Sequence, residues 1–125
     1  MKSIANHIQT HADALNLRSK RNEILASNIV NSATPNFKAR DIDFNEALRA
    51  RMDVGPVNVS NERHFKFYTG SGDEAAQFRQ SVNPSVDGNT VELHVEQMQF
   101  SENVMRYQTS LEFLNRKFSG LMSAM

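Results

Sequence analysis

A heptad stripe in the last third of the chain constrains the fold more than any other feature. Its positions alternate in steps of four and three, and they are Leu93, Gln97, Phe100, Val104, Tyr107, Leu111, Leu114, Phe118, Leu121 and Met125. Every member except Gln97 is apolar or aromatic, and the stripe continues for about four heptads, which predicts a coiled-coil helix. Such a helix is roughly 50 Å long and needs a partner along most of its length.

Local signals place the start of this helix near Asn89. Asn89 can act as an N-cap, and Glu92 three residues later completes the pattern of a capping box. Asp87-Gly88 just before it is a turn dipeptide. We therefore predict a C-terminal coiled-coil helix over residues 89–125, with Gln97 as a candidate for the polar position that sets the register.

A second long helix is predicted at the N-terminus. Ser3 can cap it, and the pattern continues to about Asn31. Pro35 ends the helix because proline lacks an N–H group and pushes the preceding residue out of the helical region. Residues 1–34 are therefore assigned to an N-terminal coiled-coil helix.

The apolar residues of this first helix lie on two nearly opposite sides. One line at seven-residue spacing, with Leu25 beside it, consists of Ile8, Leu15, the polar Asn22, and Ile29. A second line, Leu17 and Ile24, is rotated by about 200° from the first. Because a surface helix of a monomeric domain usually buries one side, two apolar sides predict a helix held between neighbours, in a small bundle or in an assembly.

The segment after the first helix predicts a turn followed by a short helix. Pro35-Asn36 suits the centre of a turn, because Asn tolerates a positive φ. Asp43 and Glu46 fit a capping box for a short helix that extends through Met52.

The stretch from residue 54 to residue 86 is predicted to be an irregular arm with room for one hairpin. Apolar and polar residues alternate at 57–60 and again at 65–68, which indicates extended segments. Residues 35–88 thus form one region containing the turn, the short helix and the arm. The predicted fold class is mainly α: two long terminal helices packed as an antiparallel coiled coil, with a short helix and an irregular or β arm between them.

Charge and residue content exclude several classes of function. The 14 basic and 14 acidic residues balance, so the chain lacks the basic surface that nucleic-acid binding requires. Cysteine is absent, which excludes disulfides and thiolate sites. No segment approaches the ~20 apolar residues that span a bilayer, and residues 1–7 lack the apolar core of a cleavable signal. The residues alone place the chain in the cytosol, or on an export route that reads no cleavable signal.

The sequence predicts neither an active site nor a cofactor site. His7 and His11 share one helix face, but Ile8 stands where a zinc hydrolase has Glu, and no third ligand lies at a suitable spacing. Phosphate-binding loops and nucleophile elbows are also absent from the sequence. We therefore interpret the two histidines as exposed or packing residues and expect neither a metal nor enzymatic activity.

The stretch from Leu25 to Phe44 resembles the N-terminal signature of the flagellar rod and hook proteins. That family shows Asn-Ile-x-Asn, two further residues, and Thr-Pro-Gly-Tyr. The corresponding residues in this chain are Asn28, Ile29, Asn31, Thr34, Pro35, Asn36 and Phe37. Asn36 replaces the usual Gly and is the next-best residue at positive φ, whereas Phe37 replaces Tyr and lacks its hydroxyl group. Residues 38–41, 87–91, 106–108 and 116–118 resemble the short proximal rod member rather than the longer members.

The resemblance implies a structural subunit of the proximal rod of the bacterial flagellar basal body. Such subunits are exported by the flagellar type III apparatus, assemble in the periplasm, transmit torque and form part of the export channel wall. The implied partners are copies of the same chain, the rod proteins FlgC and FlgF, the basal adaptor FliE, the MS ring and the export gate. A cytosolic helical adaptor or export chaperone that binds partner helices is the alternative function.

The two long helices supply the residues that we predict to form the assembly interface. They are Ile8, Leu15, Leu25 and Ile29 from the first helix, and Leu93, Phe100, Val104, Tyr107, Leu111, Leu114, Phe118 and Leu121 from the last.

Overall fold

The computed structural model describes residues 2–53, 76–83 and 85–125, in which three helices and two short strands occur. The elements are α1 (Lys2–Val30), β1 (Arg40–Ile42), α2 (Phe44–Asp53), β2 (Ala76–Phe78) and α3 (Leu93–Ala124). The predicted fold class is confirmed: two long terminal helices pack together, with a short helix and a small sheet between them in sequence. The extended segments predicted at 57–60 and 65–68 lie outside the described residues.

The helices α1 and α3 pack antiparallel. Asn28, near the end of α1, hydrogen-bonds Glu96 in the first turn of α3, while His11 near the start of α1 contacts Phe113 far along α3. Midway between these contacts, the side-chain amide of Asn103 donates to the Arg18 carbonyl oxygen at 2.8 Å. The 32 residues of α3 span about 48 Å, so the hairpin is long and narrow.

The helix α1 contacts α3, α2 and β1. The Arg18 guanidinium lies 4.0 Å from the ring centroid of Phe44 at the start of α2. Leu17 and Leu25 are fully buried. The prediction that α1 buries two nearly opposite sides stays a prediction; within the chain, α2 and β1 add to the cover that α3 supplies.

The strands β1 and β2 form an antiparallel pair in which Arg40 lies opposite Phe78 and Ile42 lies opposite Ala76. Sequence analysis assigned a strand to neither segment, because three residues are too few to show an alternating pattern. The pairing continues one bond further, since the Arg79 N–H donates to the Ala39 carbonyl oxygen at 2.8 Å. The small sheet thereby brings Arg79, the residue after β2, against Asp41 of β1 and Glu96 of α3.

The local signals predicted after α1 are confirmed. Asn36 has a φ of 61° in the turn, and the Asp43 side chain accepts a hydrogen bond from the Glu46 N–H at 3.2 Å at the start of α2. The predicted caps of the two long helices are wrong, because α1 already includes Lys2, so that Ser3 lies within it, and α3 begins at Leu93 with Glu92 in the N-cap position and no side-chain cap. Asn89 is buried and binds elsewhere.

Candidate assembly interface

Asn28 of the sequence motif joins α1 to β1 through the main chain of Arg40. Its side-chain amide donates to the Arg40 carbonyl oxygen at 2.6 Å, and its side-chain oxygen accepts from the Arg40 N–H at 3.1 Å. The same amide lies 3.1 Å from Oε2 of Glu96 on α3. Only an amide side chain offers a donor and an acceptor in this arrangement, so it pairs with Arg40 as a neighbouring strand would.

Asn89 binds the turn that follows α1. Its side-chain amide lies 3.1, 2.9 and 2.9 Å from the carbonyl oxygens of Asn31, Ser32 and Thr34, respectively. Carbonyl groups of a turn that no helix or strand pairs need a donor elsewhere. Asn89 therefore holds the turn just after α1 rather than capping the start of α3.

The turn after α1 is held against residues 87–90 by main-chain hydrogen bonds. The Asn36 N–H donates to the Asp87 carbonyl oxygen at 3.0 Å, and the Thr90 N–H donates to the Phe37 carbonyl oxygen at 3.0 Å. Gly88 has a φ of +75°, and a Cβ there would lie 2.6 Å from the Asn36 side-chain oxygen. The motif residues Asn28, Asn31, Thr34, Asn36 and Phe37 thus fix the route between the two long helices.

A cluster of charged and polar side chains lies where α1, β1, β2 and α3 meet, and we call it the polar clasp: Arg21, Asn28, Asp41, Arg79 and Glu96. Arg21 donates two hydrogen bonds to Asp41, at 2.9 and 3.1 Å. Arg79 donates to both Asp41 and Glu96. Glu96 is completely buried, so its charge depends on Arg79 and on the amide of Asn28 for compensation.

Electrostatics in the clasp favour the charged forms of Asp41 and Arg21. Burial by itself raises the pKa of Asp41, but the hydrogen bonds from Arg21 and Arg79 outweigh it, and the pKa lies below its usual value. The hydrogen bond to Asp41 raises the pKa of Arg21 in turn. The ion pairs therefore add to the stability of the folded chain while the carboxylate is ionised.

The chain is expected to lose stability in acid through Asp41. Because the pKa of Asp41 is lower in the folded state, its contribution is fully present above the unfolded-state pKa and is lost as pH falls through the lowered folded-state pKa. Urea unfolding across this pH range measures the slope. Asp41→Asn removes the titrating group and should flatten the slope, whereas an equally steep slope in that variant would contradict this assignment.

Polar residues on α3 face α1 at seven-residue spacing. Asn103 is buried, and its amide donates to the side-chain oxygen of Asn22 at 2.8 Å. Asn22 is the residue that interrupts the apolar line on α1, so the two polar positions meet. Gln97 is exposed, and the buried polar positions that fix the register are Glu96 and Asn103.

The heptad stripe divides into two sets along α3. The stripe members on the α1 side, at least partly buried, are Phe100, Tyr107, Leu114 and Leu121. Of the remaining members, Gln97 and Met125 are exposed, and we call the other four the apolar flank: Leu93, Val104, Leu111 and Phe118. Val104 is half-buried, whereas Leu93, Leu111 and Phe118 are 39%, 39% and 44% exposed. The inward position of Glu96 and Asn103 rotates α3, which turns the flank away from α1.

The predicted interface residues of α1 differ in accessibility. Ile8, Leu15 and Ile29 are half-buried, whereas Leu25 is completely buried within the chain. Leu114 of α3 is likewise buried in the contact with the rest of the chain. Leu25 and Leu114 therefore support the hairpin itself, and the other predicted residues are the ones that retain accessible surface.

His7 and His11 pack near the open end of the hairpin. Their rings meet edge-to-face at 4.7 Å between centroids, and His11 lies 5.1 Å from the ring of Phe113. Burial lowers the pKa of His11, and the nearby His7 and Lys117 lower it further. Within the described ranges, no three or more His, Cys, Asp or Glu side chains are grouped to hold a metal ion.

The clasp residues Arg21, Asp41, Arg79 and Glu96 are not among the site residues predicted from the sequence. One signal was available, because Arg21 and Asn28 are seven residues apart, as are Glu96 and Asn103. Polar residues at heptad spacing on both helices indicate a polar seam. No such signal indicates Arg79, because its position depends on β2, and a strand of three residues is too short to show an alternating pattern.

None of the helices in the described ranges has both the length and the apolar character of a membrane span.

Comparison with known proteins identifies close relatives. The family described as "Flagella basal body rod protein" matches residues 8–38, which include the motif and most of α1. Flagellar basal body rod protein FlgB of Cereibacter sphaeroides is 50% identical over 124 residues, which are 99% of this chain and 97% of the relative. The proteins of the same name from Aeromonas hydrophila and Escherichia coli K12 are 45% and 37% identical. They cover 92% and 90% of this chain and 89% and 88% of their own lengths.

Proposed function

This chain belongs to the FlgB family of flagellar basal body rod proteins, and we propose that it builds the proximal part of the rod by packing its helical hairpin against neighbouring subunits. As a member of this family it is a structural subunit of the basal body rod. The relatives are named as rod proteins, and none of those names describes an enzyme. Nothing supports the cytosolic adaptor or chaperone considered from the sequence.

The observation that carries the proposal is the apolar flank on α3. Leu93, Leu111 and Phe118 each leave more than a third of their surface exposed, over about 38 Å of helix. A row of partly exposed apolar groups, with half-buried Val104 between Leu93 and Leu111, favours a protein partner, because burying it gains roughly 25 cal/mol per Å². Ile8, Leu15 and Ile29 add partly accessible surface on α1.

The polar clasp suits a subunit that must transmit torque. Arg21, Asp41, Arg79 and Glu96 connect both long helices to the small sheet, so that the elements move together. We propose that hairpins arranged side by side form part of the export channel wall. The proposed partners are copies of this chain, the rod proteins FlgC and FlgF, the basal adaptor FliE, the MS ring and the export gate. The proposed location is the periplasmic rod, reached through the flagellar export apparatus.

Removing this chain from a flagellated cell is expected to abolish the rod and swimming. Electron microscopy of purified basal bodies, with and without a plasmid-borne copy of the wild-type chain, measures the effect. The expected result is rings without a rod in the deletion strain and complete rods after complementation. Complete rods in the deletion strain would overturn the proposal.

A further inference from the structure

A cleft of about 450 Å³ lies where the start of α2 and the end of β2 meet the middle of α1 and α3. Its charged lining consists of Arg18, Arg21, Arg79, Arg106, Asp41 and Asp43. Four arginines against two aspartates leave the walls with an excess of positive charge.

Three of the four arginines already bind a carboxylate of the same chain. Arg21 and Arg79 pair with Asp41, and Arg106 pairs with Glu102 one helical turn away. Arg18 differs from them, because none of the described carboxylates lies within ion-pair distance of its guanidinium.

The Arg18 guanidinium retains hydrogen-bonding capacity that the described part of the chain does not use. It lies over the ring of Phe44, and its Nε is buried without a hydrogen-bond partner. A guanidinium carries five N–H donors and no acceptor. Burial lowers the pKa of Arg18, and the nearby Arg106 and Arg21 lower it further, so the charge of Arg18 is not compensated locally.

We propose that Arg18 binds a carboxylate, the Asp or Glu side chain of a neighbouring subunit that enters this cleft. The inference rests on the proposed function, because the neighbour is another rod subunit. A planar carboxylate matches the guanidinium fork and accepts two hydrogen bonds from it. A phosphate or sulfate fits less well, because Asp41 and Asp43 on the walls repel a doubly charged anion more strongly.

Arg18→Met tests whether the charge serves assembly rather than the fold. Methionine keeps an unbranched stem over Phe44 and removes the guanidinium. We expect the melting temperature of the isolated chain to stay the same or rise, while complete rods per cell fall about tenfold or more. Arg18→Lys keeps the charge without the fork and should give an intermediate number of rods. In the matched control, exposed Arg116→Met, rods should form normally.

A crosslink identifies the source of the carboxylate. A benzoylphenylalanine placed at the exposed cleft residue Asn45 in the full chain should join, in assembled basal bodies, a peptide of another chain that contains Asp or Glu. The mass of the product separates a second copy of this chain from a different rod protein, and either result supports the proposal. Arg18→Met should also reduce the crosslink yield by about tenfold.

Three outcomes would overturn the proposal: normal rod numbers in Arg18→Met, a marked fall in its melting temperature, or crosslinks only within one chain. Absence of the chain from basal bodies would instead refute the proposed function.

Discussion

Leu111→Asp combined with Phe118→Asp is expected to abolish rod assembly while the isolated chain remains helical. Both side chains belong to the apolar flank and are 39% and 44% exposed, and the buried residues Leu17, Leu25 and Leu114 are unchanged. In the rod the exposed part would become buried, and because it is about two fifths of each side chain, each substitution removes roughly 0.6–1.2 kcal/mol of interface burial. Two carboxylates without partners would add a desolvation cost at the same interface. Swimming in soft agar and electron microscopy of basal bodies measure the loss.

Two control variants separate assembly from folding. Leu114→Asp places a carboxylate at a buried position on the same helix, and the isolated chain should lose helical circular dichroism. Met52→Asp changes an exposed apolar residue on α2, away from the flank, and should leave rods and swimming intact. Normal swimming in the Leu111/Phe118 double variant would show that the flank is not an interface.

The period of the last helix was predictable from the sequence, but its rotation about its axis was not. The stripe from Leu93 to Met125 correctly indicates a long helix that packs against α1. The apolar pattern alone predicts that the centre of the stripe faces α1. In the structure, the buried side chains of Glu96 and Asn103 occupy part of that contact surface. Their burial is favourable only because Arg79 and Asn22, both distant in sequence, supply partners. A periodic pattern carries no information about such contacts.

The turn motif shows the same division between local and distant information. The positive φ of Asn36 follows from the residue type, and the structure confirms it. The role of Asn89 did not follow, because an Asn before a helix usually caps that helix. Here the amide binds carbonyl groups in the turn just after α1. This contact can form only because the two long helices approach each other antiparallel. Local rules therefore located the turn but not its partner.

Glu96→Ala is expected to lower the free energy of unfolding of the isolated chain by about 3 kcal/mol, the lower end of the range for removing one partner of a buried ion pair. Glu96 is completely buried, and its removal leaves the Asn28 amide and Arg79 short of an acceptor. The lower end applies because Arg79 keeps Asp41 and is partly exposed to water.

Glu102→Ala is the matched control, since Glu102 lies on the same helix and forms an ion pair with Arg106 at the surface. Exposed pairs of this kind contribute about 0–1 kcal/mol, so the two substitutions should differ by at least about 2 kcal/mol in urea unfolding. Glu96→Gln keeps an acceptor for Asn28 and Arg79 without the charge, and its loss should be intermediate. Equal losses for Glu96→Ala and Glu102→Ala would mean that the clasp does not stabilise the hairpin, and the stiffness proposed for torque transmission would need another source.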